Sequence, residues 1–325
     1  MIYPEFIKKG EYAGVCALSA GVDPSDERFQ LSLDILRYHG INIAETDSVY
    51  TGEARSAEAE QRVAELHELF TDDDVKMVMM AAGGDFQMET LPYIDFDLIR
   101  EHPKWVMGHS DPTNLLYPLT TLCDIATMYG YNAGSFDEEE SIHPLTKNAI
   151  SFLFGNMHTN HSSRKYEHLD YYNKGDPIYN KRTKWYGSFT GQGRMIGGCL
   201  DAIRNLFGTP YDGGKQFCEK YKDDGIIWYF DVYSLNSFDL YMTLLQMRYM
   251  GYFDHCVCVL FGRTLFPSEA NGMSYDEAIG RALGDIPVIQ QCDIGHTTPR
   301  MMMINGAMAD VRVRFGKGRI TYDLR

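Results

Sequence analysis

The chain has 325 residues, of which 44% are hydrophobic, and a formal net charge of -15 at pH 7. This length and apolar content predict two globular domains, each with a substantial core. The acidic balance argues against nucleic acid or an anionic membrane as the main partner, because both favour clustered lysine and arginine. No apolar run approaches the roughly 20 residues that span a bilayer, and the N-terminus lacks the apolar segment of a signal peptide, so we expect a cytoplasmic protein.

Seven cysteines are scattered along the chain, mostly inside apolar runs where cysteine behaves as a small hydrophobic residue. Their odd number and lack of pattern predict a reducing compartment and no disulfides. Cys256 and Cys258 would share one face of a strand, but no second pair completes a tetrahedral metal site. The sequence therefore predicts neither a metal nor a cofactor.

The N-terminal part of the chain, residues 1–160, alternates short apolar runs with helical patterns. We predict a strand over residues 13–18, a helix over 26–38 and a second strand from residue 41. A helix with one buried stripe, residues 56–70, leads into an apolar strand, residues 75–82, that ends at Gly83 and Gly84. This alternation is typical of an α/β domain with a parallel sheet.

Ser110 lies on a turn that begins at Gly108, between the apolar run 105–107 and the start of a helix. A serine at a sharp strand-to-helix bend is held clear of its own backbone, and the first N–H groups of the helix face any oxyanion beside it. Gly83 and Gly84 would place further backbone donors at the same edge of the sheet. The alternative is that Ser110 or Asp111 only caps the helix.

The C-terminal part, residues 185–325, is again a mixed α and β pattern, and the polar, irregular stretch 161–184 reads as a connecting segment. Residues 225–232 predict an apolar strand with Asp231 near its end. Residues 256–261 and 286–292 predict two more buried strands, and residues 311–322 predict a hairpin. His296 follows the last buried strand on a glycine-flanked loop. We expect a smaller mixed α/β domain here.

Several of these motifs, in this order, resemble the LD-carboxypeptidase family of serine peptidases, which includes murein tetrapeptide carboxypeptidases and microcin C immunity peptidases. The motifs are Gly83-Gly84, Leu91-Pro92, Gly108-His109-Ser110-Asp111-Pro112-Thr113, Gly197-Gly198, the 206–211 stretch, the strand into Asp231, and Gly295-His296-Thr297. The resemblance covers nearly the whole chain. It implies an active site at a cleft between an N-terminal domain with the nucleophile and a C-terminal domain with the acid and the base.

By this resemblance, the catalytic nucleophile is Ser110 and the base is His296. The implied oxyanion donors are the backbone N–H groups of Gly84 and Asp111, with Gly83 beside the substrate. The resemblance also implies a homodimer.

The acid is where the chain departs from the family. Asp231 stands where the family has a glutamate, and aspartate is shorter by roughly 1.5 Å of reach. An aspartate can still orient and stabilise the imidazole. Asp293 and Asp239 are weaker candidates, each with the alternative of a turn or helix-start residue.

The substrate is left open by two features. Murein-cleaving relatives often carry an arginine shortly after the glycine pair. Residues 85–89 contain none, and in this respect the chain is more similar to the microcin immunity branch. Trp185 resembles a tryptophan that holds a flat group in that branch, with a core aromatic residue as the alternative. The resemblance thus implies a small murein peptide that loses a terminal D-amino acid, or a peptide-nucleotide adduct. The alternative is a catalytically weakened homologue that only binds such peptides.

Overall fold

The computed structural model describes residues 1–138, 142–168 and 177–324. These residues form two compact units. The first unit comprises Met1–His158 and Met301–Gly306, and the second comprises 159–300 and 307–324. Among the described helices, none combines the length and the apolar character that crossing a bilayer requires.

The elements of the N-terminal half are, in chain order, β1 (Tyr12–Cys16), α1 (Glu27–Tyr38), β2 (Asn42–Glu45), α2 (Ala59–Thr71), β3 (Val75–Met80), α3 (Phe96–Glu101), β4 (Trp105–Gly108), α4 (Thr113–Cys123), β5 (Thr127–Tyr129) and α5 (Pro144–Leu153). The following elements are β6 (Thr159–His161), β7 (Lys165–Glu167), β8 (Tyr179–Arg182), β9 (Phe189–Cys199), α6 (Leu200–Leu206), α7 (Gly214–Lys220), β10 (Ile226–Asp231), α8 (Ser237–Tyr249), β11 (Cys256–Gly262), α9 (Tyr275–Leu283), β12 (Val288–Cys292), β13 (Met303–Asn305), β14 (Met308–Arg314) and β15 (Lys317–Asp323).

The sheet of the first unit has the strand order β13-β5-β4-β3-β1-β2. All neighbouring strands in it are parallel except β13, which runs antiparallel to β5. The strands β3 and β4 are almost wholly buried, as expected for a sheet covered on both faces, and this is why they read as continuous apolar runs. The predicted N-terminal α/β fold with a largely parallel sheet is confirmed.

The large sheet of the second unit has the order β12-β11-β10-β9-β14-β15-β6. Its first four strands are parallel and the rest are antiparallel, which confirms the predicted mixed sheet. The apolar pattern does not predict β9, the central 11-residue strand of this sheet, because glycines interrupt the pattern. One of them, Gly197, is required there, since a Cβ would overlap the carbonyl oxygen of Tyr229.

The stretch 161–184 differs from the expected connecting segment. It holds β7 and β8, which pair antiparallel. The stretch belongs to the second unit, which begins at residue 159. These strands are short, polar and largely exposed, so they lack the apolar alternation by which a strand is recognised. The range 185–325 is likewise not one unit, because β13 returns to the sheet of the first unit.

A buried ion pair joins the ends of β11 and β12. Arg263 follows β11 and Asp293 follows β12, their Nη2 and Oδ1 atoms are 2.8 Å apart, and the two side chains are 3% and 0% exposed. Arg263 also donates from Nε to the Thr297 hydroxyl at 3.0 Å and from Nη2 to the carbonyl of Pro299 at 3.2 Å. One guanidinium therefore holds both ends of the loop that carries His296.

The second carboxylate oxygen of Asp293 also accepts hydrogen bonds. Its Oδ2 accepts the backbone N–H of Ser163 at 2.9 Å and the indole N–H of Trp185 at 3.0 Å. The carboxylate thus has several donors and a charged partner, which offsets the cost of burying it. We refer to Arg263, Asp293, Ser163, Trp185 and Thr297 as the Asp293 network.

Replacing Asp293 by asparagine should destabilise the protein strongly. The substitution leaves the Arg263 guanidinium buried without its counter-charge, and breaking a buried pair in this way costs about 3–5 kcal/mol. The free energy of unfolding from urea denaturation measures the loss.

Asp310→Asn is the matched control. Asp310 and Arg312 are also 2.8 Å apart, but the Arg312 side chain is more than half exposed. We expect a much smaller loss there, because exposed ion pairs contribute little. Equal losses in the two variants would contradict the structural role given to the Asp293 network.

Candidate active site

Ser110 lies in the turn between β4 and α4 of the first unit, with a φ of +70°. A left-handed conformation is costly for serine, and such strain is concentrated at functional sites. Gly108 makes the turn possible, since a Cβ there would lie 2.5 Å from Cβ of Pro112 at the helix start. The strand and the helix are therefore joined by a bend as sharp as the sequence predicts for a nucleophilic serine.

Asn132 anchors this turn from the loop after β5. Its Oδ1 accepts the His109 N–H at 2.8 Å, and its Nδ2 donates to the His109 carbonyl at 3.3 Å. The Ser110 carbonyl accepts the N–H of Thr113 at 2.9 Å, which begins α4. Sequence reasoning did not find Asn132, because a single asparagine in a loop carries no signal of the residue it will contact.

The glycine pair after β3 lies beside the serine. A Cβ on Gly83 would be 3.1 Å from Cβ and 3.5 Å from Oγ of Ser110, so glycine keeps the hydroxymethyl group clear. Gly84 has a φ of +143° and packs against Ser19. Within the described residues, the N–H groups of Gly84 and Asp111 donate to no other protein atom. Both are thus available to a ligand oxygen.

The Asp111 carboxylate ties together the loops around the serine. It accepts the Ser19 hydroxyl, the backbone N–H of Gln87 at 2.8 Å and the amide of Asn114 at 2.6 Å. Burial raises the pKa of Asp111, while these hydrogen bonds favour its charged form. The side chain therefore joins loops, whereas the alternative expected from the sequence is a cap on α4, for which the described residues provide no side-chain cap. The predicted oxyanion role concerns only the backbone N–H of Asp111.

His296 and Asp231 are in direct contact in the second unit. Asp231 is the last residue of β10 and is fully buried. Its Oδ2 lies 2.8 Å from Nδ1 of His296, and its Oδ1 accepts the backbone N–H of His296 at 3.3 Å. An Nδ1–H that points at the carboxylate leaves Nε2 as the basic nitrogen, which is the tautomer that a general base needs.

Gly295 explains how the shorter acid reaches the histidine. It has a φ of +91°, and a Cβ at this position would overlap the carboxylate of Asp231. The loop therefore passes directly against Asp231, which makes up for the missing methylene. The Tyr233 ring covers the imidazole, with centroids 4.4 Å apart.

The remaining sequence candidates have other partners. Asp293 belongs to the Asp293 network, and Asp239 pairs with Asn236 at the start of α8. Trp185 is 1% exposed and packs against Gly318, and its N–H is used by Asp293. This placement favours the core-aromatic alternative for Trp185 over a ligand-holding one.

A cavity of about 310 Å³ adjoins Gly83 in the first unit. Besides glycines, its walls combine apolar residues with an ion pair and three further polar side chains: Val22, Phe29, Ala81, Ala82, Arg28, Asp137, Asp26, Asn132 and Ser135. The size is at the lower end of the range for small-ligand pockets. Burial raises the pKa of the Cys256 thiol to about 12 and also raises the pKa of Cys258.

Comparison with known proteins gives a consistent result. Residues 13–130 match the LD-carboxypeptidase N-terminal domain, and residues 192–311 match the LD-carboxypeptidase C-terminal domain. A Treponema pallidum protein, named as a candidate carboxypeptidase, is 28% identical over 94% of this chain and 88% of its own length. The Escherichia coli microcin C7 self-immunity protein MccF is 24% identical over 77% of this chain and 74% of its own.

A solved structure of an MccF-like protein from Bacillus anthracis has a TM-score of 0.86 to this chain. The two are 24% identical, and the match covers 99% of each chain, so the likeness extends over the whole fold. Together, the two domain matches account for most of the chain, in the family's order. The protein therefore belongs to the LD-carboxypeptidase family of serine peptidases.

Proposed function

We propose that the protein is a serine carboxypeptidase-type hydrolase that cleaves an amide bond next to the terminal D-amino acid of a murein peptide, or the corresponding bond of a microcin-type aminoacyl-nucleotide adduct. The observation that carries the proposal is the 2.8 Å contact between Asp231 and Nδ1 of His296. Aspartate is shorter than the glutamate of the family, and this contact supports the view that Asp231 nevertheless reaches the histidine. It therefore favours a hydrolase over a homologue that only binds peptides.

In the proposed reaction, the Ser110 Oγ attacks the substrate carbonyl and its proton passes to Nε2 of His296. The N–H groups of Gly84 and Asp111 hold the oxyanion of the tetrahedral intermediate. The carbon–nitrogen bond breaks as His296 returns the proton to the leaving amine. A water molecule, deprotonated by His296, then hydrolyses the acyl-enzyme.

Asp231 takes part by stabilising the imidazolium form of His296. It stays ionised throughout, because the proton moves only between Nε2 and the reacting atoms. Its Oδ2 lies 2.8 Å from the ring Nδ1 and its Oδ1 accepts the backbone N–H of the same residue, which favours one orientation of the imidazole. The cavity beside Gly83 gives the first unit room for one end of a small peptide.

The substrate proposal is supported by the names of relatives. A Bacillus subtilis relative named "Probable murein peptide carboxypeptidase" is 28% identical over 64% of this chain and 60% of its own length. An MccF structure is described in complex with aspartyl sulfamoyl adenosine. We extend both ligand classes, small peptides and peptide-nucleotides, to this chain as alternatives.

We also propose that the protein works in the cytoplasm as a homodimer. None of the seven cysteines, all of which the structure describes, forms a disulfide, which supports a reducing compartment. The homodimer follows from the family alone, and sedimentation equilibrium of the purified protein tests it.

Ser110→Ala should abolish labelling by a fluorophosphonate and reduce amide hydrolysis by at least about 10³-fold, because the nucleophile is lost. The assays are D-alanine release from a murein tetrapeptide and cleavage of aspartyl sulfamoyl adenosine. Ser151→Ala, which removes a hydroxyl from α5, is the control and should change neither. If the wild-type protein is not labelled and hydrolyses neither substrate, the proposed function is wrong.

Gly295→Ala should lower kcat by roughly 10²-fold, because the added methyl group displaces the Asp231 carboxylate and a shift of about 1 Å in a catalytic group has an effect of that size. Gly272→Ala is the control, since Gly272 has a similar positive φ of +68° but open space around its Cα. It reproduces the backbone strain without the overlap and should retain activity. Equal losses in the two variants would show that strain alone, and not the Asp231 contact, is responsible.

A further inference from the structure

Two adjoining cavities in the second unit form a groove that no residue role assigned above explains. The inner cavity is about 290 Å³ and the outer one about 350 Å³. They share six lining residues: Tyr166, Lys181, Arg263, Asp276, Gln290 and Gln291. The outer cavity adds Arg182, Lys184 and Tyr186. We call these nine residues the basic groove.

Part of the wall of the inner cavity comes from the chain segments that carry the acid and the histidine. The inner cavity is also lined by Val232 and Thr297, which follow Asp231 and His296 directly in the chain. The outer cavity extends to the exposed cations of β8 and the residues after it. The basic groove therefore lies next to the segments that hold Asp231 and His296.

The charge of the groove is opposite to that of the protein. Lys181, Arg182 and Lys184 lie together in a chain whose net charge is -15. Within residues 1–138, 142–168 and 177–324, no carboxylate lies within 4.0 Å of the charged nitrogens of these three side chains. Arg263, in contrast, is neutralised by Asp293. Asp276 is the one carboxylate among the nine groove residues, so the cations outnumber it, and such a surplus of positive charge favours an anion.

Two glutamine side chains add hydrogen-bond donors to the same groove. Successive residues of a strand normally face opposite sides, yet Gln290 and Gln291 both line it. The reason is an irregularity in β12, where Gln291 has a φ of +61° and the pairing with β11 shifts register. Irregularities of this kind redirect side chains next to active sites. Two backbone hydrogen bonds hold Gln290 in place: its N–H donates to the carbonyl of Tyr186 at 2.9 Å, and its carbonyl accepts the N–H of Tyr186 at 3.0 Å.

We propose that the basic groove binds an oxyanion group of the substrate, a carboxylate or a phosphate, at a distance from the amide bond that is cut. Lys181 and Lys184 supply the attraction and the two glutamine amides supply directed hydrogen bonds. The inference rests on the proposed function, in that the anion belongs to the molecule whose amide reacts. It makes the groove the determinant of charge specificity in this chain.

The test compares charged and neutral forms of the same ligand. For a carboxylate source, the pair is a murein tetrapeptide with a free D-glutamate α-carboxylate and the same peptide with that group amidated. For a phosphate source, the pair is adenosine monophosphate and adenosine, used as inhibitors. The wild-type protein should favour the anionic member of one pair by on the order of tenfold in KM or Ki, and the preference should shrink as salt is added.

The double variant Lys181→Gln/Lys184→Gln should lose this preference, and the loss should be seen in KM or Ki for the anionic ligand. Lys220→Gln/Lys222→Gln is the matched control, because it removes two exposed lysines of the same unit outside the groove. The control should keep the wild-type preference. No preference in the wild type for either anion, or the same loss in both double variants, overturns the proposal.

Binding of the same four ligands to Ser110→Ala, measured by calorimetry, separates this inference from the proposed function. If nothing is hydrolysed but an anion still binds in a Lys181- and Lys184-dependent manner, the groove stands and the hydrolase proposal fails. If hydrolysis proceeds and anionic and neutral ligands bind alike, the hydrolase proposal stands and the groove proposal fails.

Discussion

The contact between Asp231 and His296 is the interaction on which the proposed chemistry of this protein depends. A buried carboxylate is costly unless it is hydrogen-bonded, and here both of its oxygens are used by one histidine. The histidine in turn sits on a loop that the Asp293 network fixes from β11 and from residues 163 and 185. An aspartate can serve because glycine at position 295 lets that loop approach it.

The turn that carries Ser110 in the first unit is built by the same means from different elements. Ser110 has a strained backbone conformation. Hydrogen bonds of Asn132 to His109 and of the Asp111 carboxylate to Gln87 hold the turn in place. In both units a small residue, Gly83 or Gly295, lies where a side chain would displace a functional group. The scaffold thus places its glycines where backbone must approach closely, while polar side chains from distant parts of the sequence hold the loops in place.

Much of this could be predicted from sequence, and what could not has a physical reason. Ser110 and His296 follow apolar strands on glycine-flanked turns, so local patterns locate them. Asn132, Ser19 and Arg263 act through partners far away in the chain, and no local pattern indicates such contacts. The apolar pattern does not predict strands β7, β8 and β9, because polar or glycine-rich strands carry no apolar alternation. For Trp185 the sequence leaves a ligand role and a core role open, and the burial of the side chain favours the core role.

The antiparallel strand β13 has a consequence for biosynthesis. It completes the edge of the first sheet beside β5, although nearly all of the second unit is translated before it. Until residues 303–305 leave the ribosome, β5 is an open edge with unpaired backbone groups, the kind of surface on which nascent chains aggregate. The N-terminal unit therefore finishes folding only after most of its companion has been made, which couples the maturation of the two halves in time.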